Sequence, residues 1–242
     1  MRILITNDDG INSPALPKLA LWARGLGEVT VVAPKVEQSG MSQAIDFHKA
    51  SEIKKVDIGV DCEAYRMDST PADCVRFATV GLHRKYDLVL SGINRGYNLG
   101  HDIVYSGTVG AIFEGARLGM KGIALSTDIY GFDKAFEMLD STYKFILDNN
   151  LLDKADLLNV NFPDFDIQGI SLTEQGGEFY SDEFVNTGND MYIQVGDPIY
   201  PDSEDISIDI NAVLNGYISI TPLTEKRTDF TALREMRSDK QQ

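Results

Sequence analysis

MRILITNDDG, residues 1–10, combines a strand-like run with two adjacent carboxylates. Residues 2–6 favour a buried β-strand, and Asp8 and Asp9 stand side by side where that strand ends. Adjacent carboxylates repel each other unless one is protonated or a cation lies between them. All-oxygen ligand sets favour Mg²⁺, Mn²⁺ or Ca²⁺. The alternative is that one aspartate caps a helix or turns the chain before Gly10, but the position after the first strand favours a metal site.

The residues that follow predict a βαβ unit. Ser13 and Pro14 are typical of a helix start, and apolar residues recur at helical spacing until Gly25. Residues 29–34 form a continuous apolar run, as expected of a parallel strand buried on both faces. The alternation continues with predicted strands at 86–90, 122–126 and 157–160 and predicted helices at 70–79, 106–118 and 135–147. Repeated β–α alternation predicts an α/β protein with a doubly wound, mostly parallel sheet in three layers.

The pattern changes in the C-terminal third of the chain. After about Gly169 strand-like pieces and turn residues replace the helical period, and residues 191–195 favour a strand. We expect an extended β-hairpin excursion over residues 170–215. A return strand and a C-terminal tail are expected over residues 216–242. The whole chain, residues 1–242, is expected to form a single domain.

The acidic composition narrows the range of partners. The 242-residue chain has a formal net charge of -15, whereas a nucleic-acid polymer requires a basic surface and anionic membranes attract basic ones. A small phosphate-bearing ligand remains compatible, because a metal ion or a helix N-terminus neutralises it locally. The two cysteines form no zinc-binding pattern. The chain begins with strand sequence instead of a signal peptide and has no membrane-length apolar run, so we expect a cytoplasmic protein.

Further oxygen-bearing side chains follow other strands of the predicted sheet. Ser39 lies in the loop after the second strand, and Asn94 closes the run Ser91 to Asn94 after the 86–90 strand. Each residue alone is more typical of a turn than of a ligand site. Because ligands bind outside the carboxyl ends of parallel strands, the topology brings both side chains toward Asp8 and Asp9.

Ser106, Gly107 and Thr108 begin a predicted helix. Free N–H groups, two hydroxyls and a glycine that permits close approach suit a phosphate, whereas simple N-capping is an equally good interpretation. His101 precedes this helix, either as a solvated loop residue or as an acid or phosphate donor. A cation site facing an anion site is what phosphoryl transfer requires.

Taken in order, these motifs resemble the SurE family, the stationary-phase survival proteins that include divalent-metal-dependent nucleotidases and phosphatases. The matching segments are residues 7–11, 39–40, 70–75, 91–94, 98–100, 105–109 and 216–223. The resemblance implies a Rossmann-like fold with a protruding β-hairpin near the C-terminal third, a homodimer or homotetramer, and 5'-nucleotidase activity that converts nucleoside monophosphates to nucleoside and phosphate.

The resemblance also implies roles for individual residues. Its metal ligands correspond to Asp8, Asp9, Ser39 and Asn94, which hold one divalent ion, Mg²⁺ or Mn²⁺, per subunit. Its phosphate-binding helix start corresponds to Ser106, Gly107 and Thr108. Asn98 and His101 lie where they could contact the substrate.

We predict hydrolysis by a metal-activated water, with Asp8 or Asp9 as the base. A second version makes Asp8 a nucleophile that forms an aspartyl-phosphate. Two alternatives from other classes are an Mg²⁺-binding receiver-like signalling module, which also carries an acidic pair after its first strand, and a nucleotide-binding protein without turnover. The run from Ser91 to Asn94 ends in Asn where a receiver module requires an Asp.

Overall fold

The computed structural model describes residues 1–200 and 203–238. The strands are β1 (Arg2–Thr6), β2 (Glu28–Pro34), β3 (Ile53–Val56), β4 (Glu63–Met67), β5 (Leu88–Arg95), β6 (Lys121–Thr127), β7 (Leu157–Phe162), β8 (Gly169–Leu172), β9 (Glu183–Gly188), β10 (Met191–Val195) and β11 (Tyr217–Leu223). The helices are α1 (Ala15–Ala23), α2 (Pro71–Arg76), α3 (Gly107–Arg117), α4 (Phe132–Asp148), α5 (Leu151–Lys154), α6 (Asp209–Leu214) and α7 (Phe230–Ser238).

Nine of the strands form one sheet in the order β3-β4-β2-β1-β5-β6-β7-β11-β8. The strands from β4 to β7 run parallel, whereas β3 pairs antiparallel with β4, and β11 pairs antiparallel with β7. The chain moves outward from β1 through β2 and β4, then returns to β5 on the other side of β1. The topological switch point, where ligands bind in such sheets, therefore lies between the carboxyl ends of β1 and β5.

Helices cover both faces of the sheet, which gives the predicted three layers. Alternate side chains of β1 point to opposite faces. Ile3 and Ile5 pack with Leu16 of α1 on one face, and Leu4 packs with Val75 of α2 and with α3 on the other. The prediction of a three-layer, mostly parallel α/β fold is confirmed.

The predicted hairpin is also present. Strands β9 and β10 pair antiparallel as a separate two-stranded sheet, and every residue of both strands is exposed. Residues 201–202 of the predicted excursion and residues 239–242 of the predicted tail lie outside the described residues. Within the described residues, no helix is long and apolar enough to cross a membrane.

Several elements were not predicted, and each is short or half-exposed. Strands β3 and β4 add an edge beside β2, and β8 forms the opposite edge. The helix expected over 70–79 is α-helical only to Arg76 and continues as a π-helical turn over Phe77–Gly81. The short helix α6 lies where extended structure was expected. These changes leave the switch point unaltered, because they affect the periphery of the sheet.

Candidate metal and phosphate site

Asp8 lies at the carboxyl end of β1 and is docked onto the first turn of α3. The backbone N–H of Thr108 donates to Asp8 Oδ2 at 3.1 Å, and its hydroxyl donates to Asp8 Oδ1 at 2.6 Å. A Cβ atom on Gly107 would lie 3.0 Å from Asp8 Cβ, so glycine allows this close approach. Burial raises the pKa of Asp8 even though the Thr108 donors favour the ionised form.

Asp9 is half-buried beside this contact. Its Oδ2 accepts the backbone N–H of Arg95 at 3.2 Å, which connects the pair of carboxylates to the end of β5. Burial, and then the negative charge of Asp8, raise the pKa of Asp9 to about 6. The two aspartates therefore form a site with an excess of negative charge at the switch point, where a cation would be stabilised.

Ser39 lies on the loop that leaves β2 and is exposed. Its hydroxyl donates to Glu37 at 2.7 Å, and the N–H of Gln38 donates to the backbone oxygen of Asp8 at 2.7 Å. The loop thus begins against Asp8. Glu37 was not singled out from the sequence, yet its negative charge contributes to the raised pKa of both aspartates. Only the folded chain shows that this carboxylate belongs to the same electrostatic group.

Asn94 lies near the end of β5, next to the residue that donates to Asp9. Its side-chain amide nitrogen uses one of its two hydrogens to donate to the backbone oxygen of Gly96 at 2.9 Å, and its Oδ1 can act as a ligand. The pairing of β5 with β6 is shifted between Ser91 and Asn94. A Cβ on Gly92 would lie 2.2 Å from the backbone oxygen of Leu125, which explains the glycine in this irregular segment.

Ser106 is the N-cap of α3. Its Oγ accepts the N–H of Val109 at 3.1 Å, as the capping interpretation predicts. As an acceptor in this bond, the hydroxyl keeps its own proton for a ligand. Ser106 also lines a cavity of about 540 Å³ together with Ser42 and Gly110. The helix start therefore caps itself, binds Asp8 through Thr108 and faces open space through Ser106.

The structure does not bring the two predicted substrate contacts into hydrogen-bonding contact with Asp8 or Asp9 within its described residues. Asn98 is buried, and its side-chain nitrogen donates to Ser126 Oγ at 2.7 Å. Its backbone N–H and oxygen are bound by the Asn161 side chain, each at 2.9 Å. His101 is exposed and lines a separate cavity of about 530 Å³. Both remain predictions as substrate contacts.

The donor set fits a hard divalent cation. Two carboxylates, one hydroxyl and one amide oxygen are the oxygen ligands that Mg²⁺ and Mn²⁺ prefer. Asp8, Asp9, Ser39 and Asn94 each keep oxygen lone pairs beyond the hydrogen bonds they make. No group of three or more His, Cys, Asp or Glu side chains arranged to hold a metal occurs in residues 1–200 and 203–238. Ser39 and Asn94 remain the predicted additional ligands.

Known proteins resemble this chain over nearly its whole length. The family profile described as "Survival protein SurE" matches residues 3–182. The 5'-nucleotidase SurE of Clostridium beijerinckii is 38% identical, with 98% of each chain covered, and that of Thermoanaerobacter sp. (strain X514) is 39% identical at the same coverage. The crystal structure of the SurE protein from Aquifex aeolicus superposes with a TM-score of 0.82 at 33% identity, covering 99% of this chain and 100% of that one. The matched region contains the acidic pair and the start of α3, and the chain belongs to the SurE family.

Proposed function

We propose that this protein is a 5'-nucleotidase that hydrolyses nucleoside monophosphates to nucleoside and phosphate with the help of a divalent metal ion. The observation that carries this proposal is the pair of carboxylates at the switch point, docked onto the start of α3. The names of the relatives from Clostridium beijerinckii and Thermoanaerobacter support it. The receiver-like alternative is not retained, because those relatives match the whole chain and β5 ends without the aspartate that such modules require.

Asp8, Asp9, Ser39 and Asn94 would hold one Mg²⁺ or Mn²⁺ ion per subunit. When bound, such an ion offsets the charge of the phosphoryl oxygens and lowers the pKa of water. The Ser106 hydroxyl, which keeps its proton, and the backbone N–H of Gly107 bind the phosphoryl oxygens at the positive end of the α3 dipole. The N–H groups of Thr108 and Val109 already donate to Asp8 and to Ser106. Thr108 orients Asp8 by donating to both of its carboxylate oxygens.

Water is the proposed nucleophile, and Asp9 accepts its proton. Asp9 accepts a single hydrogen bond, from Arg95, among the described residues, so it has an oxygen left for a water molecule. Both oxygens of Asp8 accept a hydrogen bond from Thr108, which lowers their electron density and disfavours Asp8 as the attacking group. This contrast favours water over an aspartyl-phosphate.

The substrate is a small molecule. The net charge of -15 repels nucleic-acid polymers and anionic membranes, so neither is a proposed partner. We assign the protein to the cytoplasm and treat residues 1–242 as one domain.

We further propose a homodimer or homotetramer. The isolated, fully exposed hairpin β9–β10 supports this, because a two-stranded hairpin is marginally stable in water without further packing.

The function is tested by measuring phosphate release from 5'-AMP, 3'-AMP, 5'-GMP and an aryl phosphate. The protein is first stripped with EDTA and then supplied with Mg²⁺ or Mn²⁺. We expect release only with metal, and faster release from 5'-AMP or 5'-GMP than from the aryl phosphate. Equal rates for the aryl phosphate would reduce the assignment to a general phosphatase, and no release from any substrate would refute it.

A further inference from the structure

Ser42 has a backbone conformation that residues other than glycine rarely adopt. It follows Ser39 by three residues on the same loop, and its φ of 52° lies in the left-handed region. For a residue with a side chain this conformation is unfavourable, and it persists where surrounding contacts hold it in place. Such positions concentrate at functional sites, so the contacts of Ser42 are informative.

Two hydrogen bonds attach Ser42 to the segment that leads into α3. Its N–H donates to the backbone oxygen of Tyr105 at 2.9 Å, and its hydroxyl donates to that of Val104 at 2.7 Å. These carbonyls immediately precede Ser106, the proposed phosphate-binding N-cap. Ser42 therefore connects the loop of the proposed ligand Ser39 to the helix start that faces the phosphate.

The third contact is steric. A Cβ on Gly110, in the first turn of α3, would lie 2.1 Å from the backbone oxygen of Ser42 and 2.7 Å from the nitrogen of Gln43. Glycine therefore allows the loop backbone to lie directly on the helix. An alanine here cannot be accommodated without moving the loop, because both opposing atoms belong to the backbone.

The loop is fixed at both ends of a short span. On one side the N–H of Gln38 binds the backbone oxygen of Asp8, and on the other side Ser42 binds the segment before α3. The three residues between, 39–41, include the proposed ligand Ser39 and Gly40 with a φ of 74°. Ser42 therefore anchors this span on the C-terminal side of Ser39, and the side chain of the next residue, Gln43, adds a bond to Glu114 at 3.1 Å.

We infer that Ser42 is a positioning residue: it holds the Ser39 loop against the start of α3, so that the metal ligands and the phosphate donors keep one relative geometry. This inference rests on the proposed function. It predicts that loosening Ser42 weakens metal binding without a matching loss of fold stability. A merely structural serine would show the opposite, a loss of stability with unchanged metal binding.

Three variants separate these two outcomes. Ser42→Ala removes the hydroxyl bond to Val104. Ser42→Gly removes the same bond while relieving the left-handed backbone. Gly110→Ala adds the obstructing Cβ without removing any hydrogen-bonding group. The matched control is Ser141→Ala, which removes an exposed hydroxyl bond to the backbone oxygen of Met138 on α4 at 2.9 Å.

The readout is the Mn²⁺ dissociation constant of stripped protein, measured by electron paramagnetic resonance beside the thermal midpoint. We expect Mn²⁺ to bind about 3- to 10-fold more weakly in Ser42→Ala and Ser42→Gly, the effect of one net hydrogen bond, and at least as weakly in Gly110→Ala. Ser42→Gly is expected to melt no lower than Ser42→Ala, and Ser141→Ala to bind like wild type.

The inference is overturned if folded Ser42→Ala and Ser42→Gly both bind Mn²⁺ within twofold of wild type, or if wild type binds no Mn²⁺. Because this readout needs no turnover, it is independent of the phosphate-release assay. Weakened Mn²⁺ binding in a protein that hydrolyses no nucleotide would support the positioning role of Ser42 and refute the nucleotidase assignment.

Discussion

Replacing Asp9 with asparagine is expected to stabilise the metal-free protein. An ordinary aspartate has a pKa of 3.8, and in this fold burial and the charge of Asp8 raise the pKa of Asp9 to about 6. The folded state therefore binds the proton more tightly than the unfolded chain does. The stabilisation that this carboxyl group contributes is fully present below its pKa in the unfolded chain. It is lost as the pH rises from about 4 to about 6. Asparagine has no charge to desolvate, so it avoids this loss.

The size of the effect follows from the shift. About two pKa units correspond to roughly 3 kcal/mol at 1.36 kcal/mol per unit. Because Asp9 is only half-buried and salt screens its neighbours, we reduce the expected gain in the free energy of unfolding to about 1–2 kcal/mol at pH 7.5. For a chain of this length that raises the thermal midpoint by roughly 2–8 °C. At pH 5 about half of the gain is expected, because the folded carboxyl is then largely protonated.

The assay is urea denaturation in EDTA at pH 5 and pH 7.5, with and without excess Mn²⁺. Mn²⁺ should reverse the order, because it stabilises the wild type and not Asp9→Asn. Asp133→Asn is the matched control: this exposed carboxylate pairs with Lys18 at 3.2 Å on the surface, and its loss should change stability by less than about 0.5 kcal/mol. An Asp9→Asn protein that is no more stable than wild type in EDTA at pH 7.5 would refute the reasoning.

Three further predictions address the supporting contacts. Thr108→Val removes the hydroxyl that donates to buried Asp8 at 2.6 Å. We expect the free energy of unfolding, measured in urea, to fall by about 1–3 kcal/mol. A variant as stable as wild type would contradict a stabilising role for this hydrogen bond. Asn161→Leu leaves the N–H of Asn98 unpaired, so a similar loss of unfolding free energy is expected in urea. Mn²⁺ binding should also weaken, because the displaced segment follows Asn94. Wild-type stability and wild-type Mn²⁺ affinity would show that Asn161 does not position this segment. Single-turnover hydrolysis in ¹⁸O-water should place ¹⁸O in the released phosphate with no acid-trapped phospho-enzyme, whereas a trapped aspartyl-phosphate would establish Asp8 as the nucleophile.

The strands that build the switch point could be predicted because each contains a continuous apolar run, but the strand expected over 86–90 begins at Leu88 and extends through the polar residues to Arg95. Strands β1, β2 and β5 are buried on both faces, and that environment leaves a plain signal in the sequence. The edge strand β3 has the sequence Ile53 to Val56 with two lysines between, both exposed. Lysines protect an edge strand from further pairing. The same lysines interrupt the hydrophobic pattern by which a strand is recognised in the sequence.

The candidate residues of the site could be collected from the sequence, but not their contacts. Asp8 and Thr108 are 100 positions apart, and no local pattern indicates that the helix start binds the carboxylate. Asn98 has the polarity of a substrate contact, yet its amide points into the buried network around Ser126. Such orientations depend on the packing of neighbouring strands, which residue types alone do not specify.

The most direct test of a metal-dependent nucleotidase built on the acidic pair combines two readouts on the same samples. Stripped wild type, Asp9→Asn and Asp133→Asn are titrated with Mn²⁺ by calorimetry, and 5'-AMP hydrolysis is followed at each metal concentration. We predict that binding and hydrolysis rise together in the wild type and in Asp133→Asn, and that both fall at least about 100-fold in Asp9→Asn, of the order found when a metal ligand or its supporting group is lost. Full hydrolysis by Asp9→Asn at low Mn²⁺ would contradict the site assignment.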